Sequence, residues 1–147
     1  GAGRRFEFLG TFGGVTIADD YAHHPTELRA TITAAKALGY NRVWAVFQPF
    51  TFSRTAQHLD EFADALSLAD EAVVSDILGS REQNTWGVSS KQITDRMTGA
   101  HYLPTFEEIT EYVCAHVQEG DLILTMGGGN VYMCARMMVK VLTNTAR

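Results

Sequence analysis

Four side chains able to bind a metal or move a proton, Asp19, Asp20, His23 and His24, fall within six positions of one another, with the phenol of Tyr21 between them. Carboxylate and imidazole are ordinary ligands of a divalent cation. The same types also hold ribose hydroxyls, meet an anion, or take the proton of an amine. A capping aspartate and a histidine satisfied by backbone carbonyls would use these residues for structure alone, but two adjacent imidazoles serve no packing purpose. We read Asp19 to Glu27 as a ligand site. Nucleotide with small substrate, or metal, are the chemistries it leaves open.

Two further stretches carry polar groups without an obvious packing role. Gln48-Pro49-Phe50-Thr51-Phe52-Ser53-Arg54-Thr55 brings an amide, hydroxyls and one guanidinium, with no acidic neighbour in sequence. A cation at a helix start is opposed by the helix dipole, so Arg54 calls for an anionic partner, a ligand carboxylate or phosphate. Met126-Gly127-Gly128-Gly129-Asn130 reads as strand, glycine turn and helix, which lets backbone N–H groups approach an anion. Close packing of helix on sheet accounts for the same glycines equally well. Tyr132 stands where a dinucleotide fingerprint has its third glycine, and no Lys-Ser/Thr follows, so neither that motif nor a P-loop is present. His58, His101 and His116 occur singly and read as surface or packed histidines.

The elements that must position these clusters follow from periodicity. Arg5 to Gly10 alternates, and Gly13-Gly14 turns it into a strand through Val15 and Ile17, an antiparallel pair with the first strand at an edge. Pro25 opens a helix to Leu38, with Leu28, Ile32 and Ala35 on one face and Gly39 as its stop. Arg42 to Phe47 is the continuous apolar run of a strand buried on both faces. A helix from Arg54 places Leu59, Phe62, Ala63 and Leu66 in register, and Ala72 to Ile77 is the next strand. After a loop over Gly79 to Gly87 come a short helix (Ser89 to Met97) and a short strand (His101 to Leu103). Thr105 and Glu108 form a capping box. The helix they open stops at Gly120, Asp121 to Met126 is the last strand, and Val131 to Leu142 lines the closing helix. Such alternation predicts a Rossmann-like three-layer α/β domain, its sheet of about six strands mostly parallel. All three polar clusters then lie at strand C-terminal ends, where ligands of such sheets collect.

Composition narrows the function. With 147 residues, 46% of them hydrophobic, the chain makes one domain, 1–147, with a sizeable core. A net charge of -5 argues against a general nucleic-acid or anionic-membrane binder. No apolar run approaches a membrane span, and the Gly-Ala-Gly-Arg-Arg start lacks the apolar region of a signal peptide, so a cytoplasmic location is expected. Cys114 and Cys134 fall in predicted helices and read as reduced, packed thiols.

Arg4-Arg5-Phe6, the full run Asp19-Asp20-Tyr21-Ala22-His23-His24-Pro25-Thr26-Glu27, Val46-Phe47-Gln48-Pro49 with Phe52-Ser53-Arg54-Thr55, and Gly120-Asp121-Leu122 together resemble the C-terminal domain of the Mur ligases. The likeness runs in order from Arg4 to about Leu142 and is strongest to members that join L-alanine to UDP-N-acetylmuramate. It implies an ATP- and magnesium-dependent, amide-forming ligase of peptidoglycan synthesis that works through an acyl phosphate. It further implies three domains, of which this is the last, expected to be inactive by itself. ATP and Mg2+ would be held mainly by the central domain, so no metal ligand is assigned here.

Carried over by that resemblance, Arg5 approaches the ATP phosphates and Asp20 the ribose. Tyr21, His23, His24, Thr51 and Arg54 surround the amino acid, with Arg54 on its carboxylate and His23 as the candidate catalytic group for the amine proton. The sequence departs from the family pattern at Phe50, where histidine is usual, at Thr51, where many members have a second arginine, and at Asn130, where the turn usually ends in Asp. The pocket thus has one fewer cation and an added ring. A metal-dependent phosphohydrolase on the Asp-Asp/His-His cluster, and a non-catalytic nucleotide or amino-acid binding module, are the alternatives.

Overall fold

A computed structural model describes residues 5–145; Arg4, one of the residues carrying the resemblance, lies outside them. The chain runs β1 (Glu7–Phe12), β2 (Val15–Asp20), α1 (Pro25–Lys36), β3 (Val43–Phe47), α2 (Phe52–Gln57), α3 (Leu59–Leu66), β4 (Glu71–Val74), α4 (Lys91–Thr94), β5 (His101–Tyr102), α5 (Phe106–His116), β6 (Leu122–Met126) and α6 (Tyr132–Thr145). The sheet order is β1-β2-β6-β3-β4-β5. Only β1 pairs antiparallel, with β2, at the edge; every other pairing is parallel. The Rossmann-like three-layer expectation therefore holds, first strand included.

Strand alternation explains how a continuous apolar run serves two cores. In β3, Val43, Ala45 and Phe47 face one layer with Leu28 and Ile32 of α1 and Phe62 and Leu66 of α3. Trp44 and Val46 face the other, with Ile109 and Val113 of α5 and Cys134, Ala135 and Met138 of α6. Because β6 lies between β2 and β3, the segments leaving those three strands emerge side by side. Both cysteines are free. Burial pushes the Cys114 thiol up to about 11 and that of Cys134 to about 12.

The opposite end of the sheet is anchored by a carboxylate. Asp121 is 1% exposed. Its Oδ2 accepts from Arg42 Nη2 at 2.8 Å, the Gln118 N–H at 2.9 Å and Trp44 Nε1 at 3.0 Å. Burial pushes this carboxyl upward, but those donors and the Arg42 charge outweigh it and hold the group below the usual aspartate range.

Pro25 is the first residue of α1, as expected, and the cap before it is His24. The Thr26 N–H donates to His24 Nδ1 at 3.2 Å, while the N–H groups of His23 and His24 both donate to Glu27 Oε1 at 3.1 and 3.0 Å. This is a capping box with histidine in place of serine or threonine. At α5, Thr105 accepts from the Glu108 N–H at 3.1 Å.

Besides shifts of a few residues at the ends of β1, α1 and α5, three elements depart from the periodicity. The helix expected from Arg54 is two, broken at His58 (φ -131°, ψ 32°). Thr55 Oγ1 back-bonds to the Thr51 carbonyl at 2.7 Å, the His58 N–H closes a tight turn on Thr55 at 3.3 Å, and the His58 ring turns to Glu61. β4 ends at Val74 rather than Ile77, because the Asp76 N–H leaves the ladder for the Pro104 carbonyl at 3.1 Å. The helix over Ser89 to Met97 contracts to the single turn Lys91–Thr94.

Replacing Asp121 with Asn leaves Arg42 and Trp44 without their acceptor charge and should cost about 3 kcal/mol in urea unfolding at pH 7. The Asp121 contribution is complete above the ordinary aspartate value of 3.8 and is lost as pH falls through the lower folded value. Wild type and Asp121→Asn should therefore converge at acid pH; a difference independent of pH would contradict the assignment. At the helix cap, His24→Ala should cost about 1 kcal/mol, whereas His24→Asn, whose amide oxygen meets the same N–H, should stay within a few tenths.

Candidate functional site

The three polar clusters do converge. Gln48 Nε2 donates to Asn130 Oδ1 at 2.8 Å and Gln48 Oε1 accepts the Asn130 N–H at 3.1 Å, joining the loop after β3 to the turn after β6. The His23 ring lies over that turn: a Cβ on Gly128 would stand 3.2 Å from it. His23 also packs edge-on to Phe50 (6.2 Å between centroids) and Tyr21 (5.1 Å), and His24 to His58 (5.4 Å). Helix α2, which carries Arg54, is thus flanked at its two ends by residues touching His23 and His24.

The glycine turn is closely packed against neighbouring side chains. A Cβ on Gly127 would meet the Gln48 carbonyl oxygen at 2.9 Å, and one on Gly129 would meet Gln48 Oε1 at 2.8 Å and Leu78 at 2.6 Å. Close packing, one of the two readings the sequence left open, accounts for all three glycines.

The two adjacent imidazoles are set in opposite senses. His23 Nδ1 lies 3.0 Å from the Tyr21 carbonyl and 3.5 Å from Glu27 Oε1. Both are acceptors, so Nδ1 carries the proton and, in the neutral ring, Nε2 presents a lone pair. His24 Nδ1 instead accepts the Thr26 N–H, which puts its proton on Nε2. Nε2 of His23 is left with the lone pair, and one nitrogen of His24 is committed to the cap. Glu27 fixes both backbones. Burial raises its carboxyl, but the two N–H donors and the neighbouring imidazoles outweigh that and leave it below the usual glutamate value.

The two aspartates point apart, as consecutive strand residues must. Asp19 is buried and accepts from Thr125 Oγ1 at 2.7 Å. Asp20 accepts the Phe6 N–H at Oδ2 and the Ala22 N–H at Oδ1, both at 2.8 Å, with the Thr31 hydroxyl at 3.4 Å. Among the described residues no three His, Cys, Asp or Glu side chains gather as a metal site would require. The geometry therefore disfavours the metal-dependent phosphohydrolase built on the Asp-Asp/His-His cluster.

Arg5 and Asp20 share a cleft of about 290 Å³ with Phe6, Tyr21, Ala22, Glu27, Ala30 and Thr31. Tyr21, 38% exposed, links it to His23. Thr51 caps α2 by accepting the Arg54 N–H at 3.2 Å. Arg54 is half-buried on that first turn and takes part in none of the ion pairs among the described residues. An acidic residue does reach the loop: Glu82 accepts the Ser53 N–H at 3.0 Å and its hydroxyl at 2.5 Å. Those bonds hold the Glu82 carboxyl below its usual value. A larger cleft, about 350 Å³, lies at the other end of the sheet beside Asp70 and residues 96–100, away from these groups.

Sequence reasoning missed Glu27 as an organiser, the Gln48–Asn130 pair and Glu82. The first had a signal, since Glu27 follows the cap by three residues, masked by a histidine in the capping position. The other two join residues 82 and 29 positions apart and left none.

The family model for the Mur ligase glutamate ligase domain matches residues 4–129. A UDP-N-acetylmuramate–L-alanine ligase from Agathobacter rectalis is 51% identical over 144 residues, 95% of this chain and 31% of that protein. One from Lachnospira eligens is 46% identical over the same shares. Among solved structures, the UDP-N-acetylmuramate-alanine ligase of Thermotoga maritima superposes with a TM-score of 0.78 at 27% identity, over 97% of this chain and 30% of the other. A murein peptide ligase of Psychrobacter arcticus gives 0.80 at 27%, over 96% and 30%. The chain spans about a third of the length of the curated relatives it matches. With the family model matched over residues 4–129 and solved members superposing over nearly the whole chain, this chain belongs to the Mur ligase family, as a glutamate ligase domain.

Proposed function

We propose that this domain supplies the amino-acid site and part of the nucleotide site of an ATP-dependent UDP-N-acetylmuramate:L-alanine ligase acting in peptidoglycan synthesis in the cytoplasm. The observation that carries the reading is the 51% identity across 95% of the chain to a protein of that name. The meeting of Tyr21, His23, Phe50 and the Arg54 helix at one sheet end supports it. Regions outside this chain would bind UDP-N-acetylmuramate and most of the ATP phosphates, so the isolated domain should not turn over.

In this reading the muramoyl carboxylate takes the γ-phosphoryl group of ATP, releasing ADP and leaving an acyl phosphate. The amine of L-alanine attacks the acyl carbon, the C–O bond to phosphate breaks, and the nitrogen loses a proton. Arg54 holds the alanine carboxylate with its forked donors while Tyr21, His24 and Thr51 shape the surroundings. His23 Nε2, the nitrogen with the open lone pair, accepts the amine proton. Arg5 approaches the phosphates. Asp20, with three protein donors already on it, retains lone-pair capacity for one ribose hydroxyl. Magnesium supplies charge neutralisation at the phosphates in such a reaction; the aspartates and histidines here are directed elsewhere, so no step is assigned to it in this domain.

ADP release by the full-length protein with UDP-N-acetylmuramate should depend on L-alanine, with L-serine, glycine and a tripeptide as competitors for the assignment. Arg54→Ala should raise the KM for L-alanine roughly 10- to 100-fold, the loss of a charge-assisted hydrogen bond of about 1.5–3 kcal/mol. His23→Ala should lower kcat by about 100-fold or more. Release that requires the tripeptide would assign a peptide ligase, as in the Psychrobacter relative. Release that no amino acid or peptide stimulates would leave a non-catalytic binding module.

A further inference from the structure

Gln48 leaves the sheet at the end of β3 and is 5% exposed, yet both ends of its amide are directed at one residue of another element. A backbone N–H only donates, so the bond from Asn130 N–H fixes Oε1 on that side and turns Nε2 onto Asn130 Oδ1. The main chain locks at the same place, with the Gln48 N–H on the Met126 carbonyl at 3.1 Å. The turn fits against it with no room for a side chain at Gly127 or Gly129. On its other side the loop is tied by the Leu78 and Gly79 N–H groups to the carbonyls of Pro49 and Phe50, both at 2.9 Å. The Gln48–Asn130 pair adds the side-chain link between the loop and the turn beneath His23.

We propose that Gln48 and Asn130 are positioning residues for the amino-acid substrate: their paired side chains fix residues 49–55 against the glycine turn and so set the affinity for the amino acid. The proposal rests on the reading of Arg54 as the carboxylate grip. A guanidinium fork must meet a carboxylate in plane and at a defined distance, and a misplacement of about 1 Å costs on the order of 100-fold. Half-burial strengthens the two hydrogen bonds that prevent it.

The chemistry of the pair gives a discriminating test in the full-length protein. Asn130→Asp keeps an acceptor for Gln48 Nε2. Gln48→Glu keeps the acceptor for the Asn130 N–H, and the Asn130 amide can turn over to donate to the second oxygen. Each single change keeps both hydrogen bonds and should raise the KM for L-alanine less than the double change does. Together they set two carboxylates face to face, and the KM for L-alanine should rise at least tenfold while the KM for ATP stays unchanged. Asn130→Ala, which retains the backbone bond alone, should give a smaller rise in the same constant. Additive effects in the double variant, or equal rises for all substrates, would overturn the proposal. If melting curves show the double variant unfolded, Asn130→Ala decides: an unchanged KM for L-alanine overturns it. A wild-type protein whose ADP release does not depend on an amino acid overturns the functional reading itself, before any variant is compared.

Discussion

A turn stripped of side chains is the constraint on which the site depends. Gly127, Gly128 and Gly129 lie where any Cβ would meet the Gln48 carbonyl, the His23 ring or the Gln48 amide, at 2.9, 3.2 and 2.8 Å. Two chain segments far apart in sequence can share the end of β6 only because that end is flat. Glycine in this turn therefore answers a packing demand, and the packing in turn orders the polar groups: His23 above the turn, Gln48 against its side, Asn130 closing it.

Held this way, the site has a rigid floor and a charged fringe. β6 sits between β2 and β3, so the segments after all three strands are neighbours by construction. At the far end, Asp121 ties β6 to β3 through Arg42 and Trp44. Above the floor, Glu27 collects the N–H groups of His23 and His24, and the carbonyl of Tyr21 decides which nitrogen of His23 faces outward with a lone pair. Arg54 joins no ion pair among the described residues, so it is left with charge to offer a ligand. In the proposed function these become an acceptor for the amine proton and a donor for the carboxylate of an α-amino acid.

Much of the frame was legible in the sequence because it is local. Apolar runs bounded by glycine and proline gave the strands, Pro25 gave the start of α1, and alternation of strand and helix placed the three polar clusters at one sheet end. What was not legible is long-range and polar. Glu82 reaches Ser53 across 29 positions, and Gln48 reaches Asn130 across 82. The break at His58 arises from a threonine hydroxyl competing with the helix ladder, which apolar periodicity does not register. The opposite proton placement on His23 and His24 depends on which backbone groups face each ring, a consequence of the folded loop and of nothing in the motif itself.

The most direct test of the account is a crystal structure of the full-length protein with L-alanine, UDP-N-acetylmuramate and a non-hydrolysable ATP analogue. The account predicts the alanine carboxylate on the Arg54 guanidinium and its nitrogen within hydrogen-bond reach of His23 Nε2, with the Gln48–Asn130 pair intact beneath them. Alanine bound elsewhere, or His23 turned so that Nε2 faces away from the amine, would contradict it.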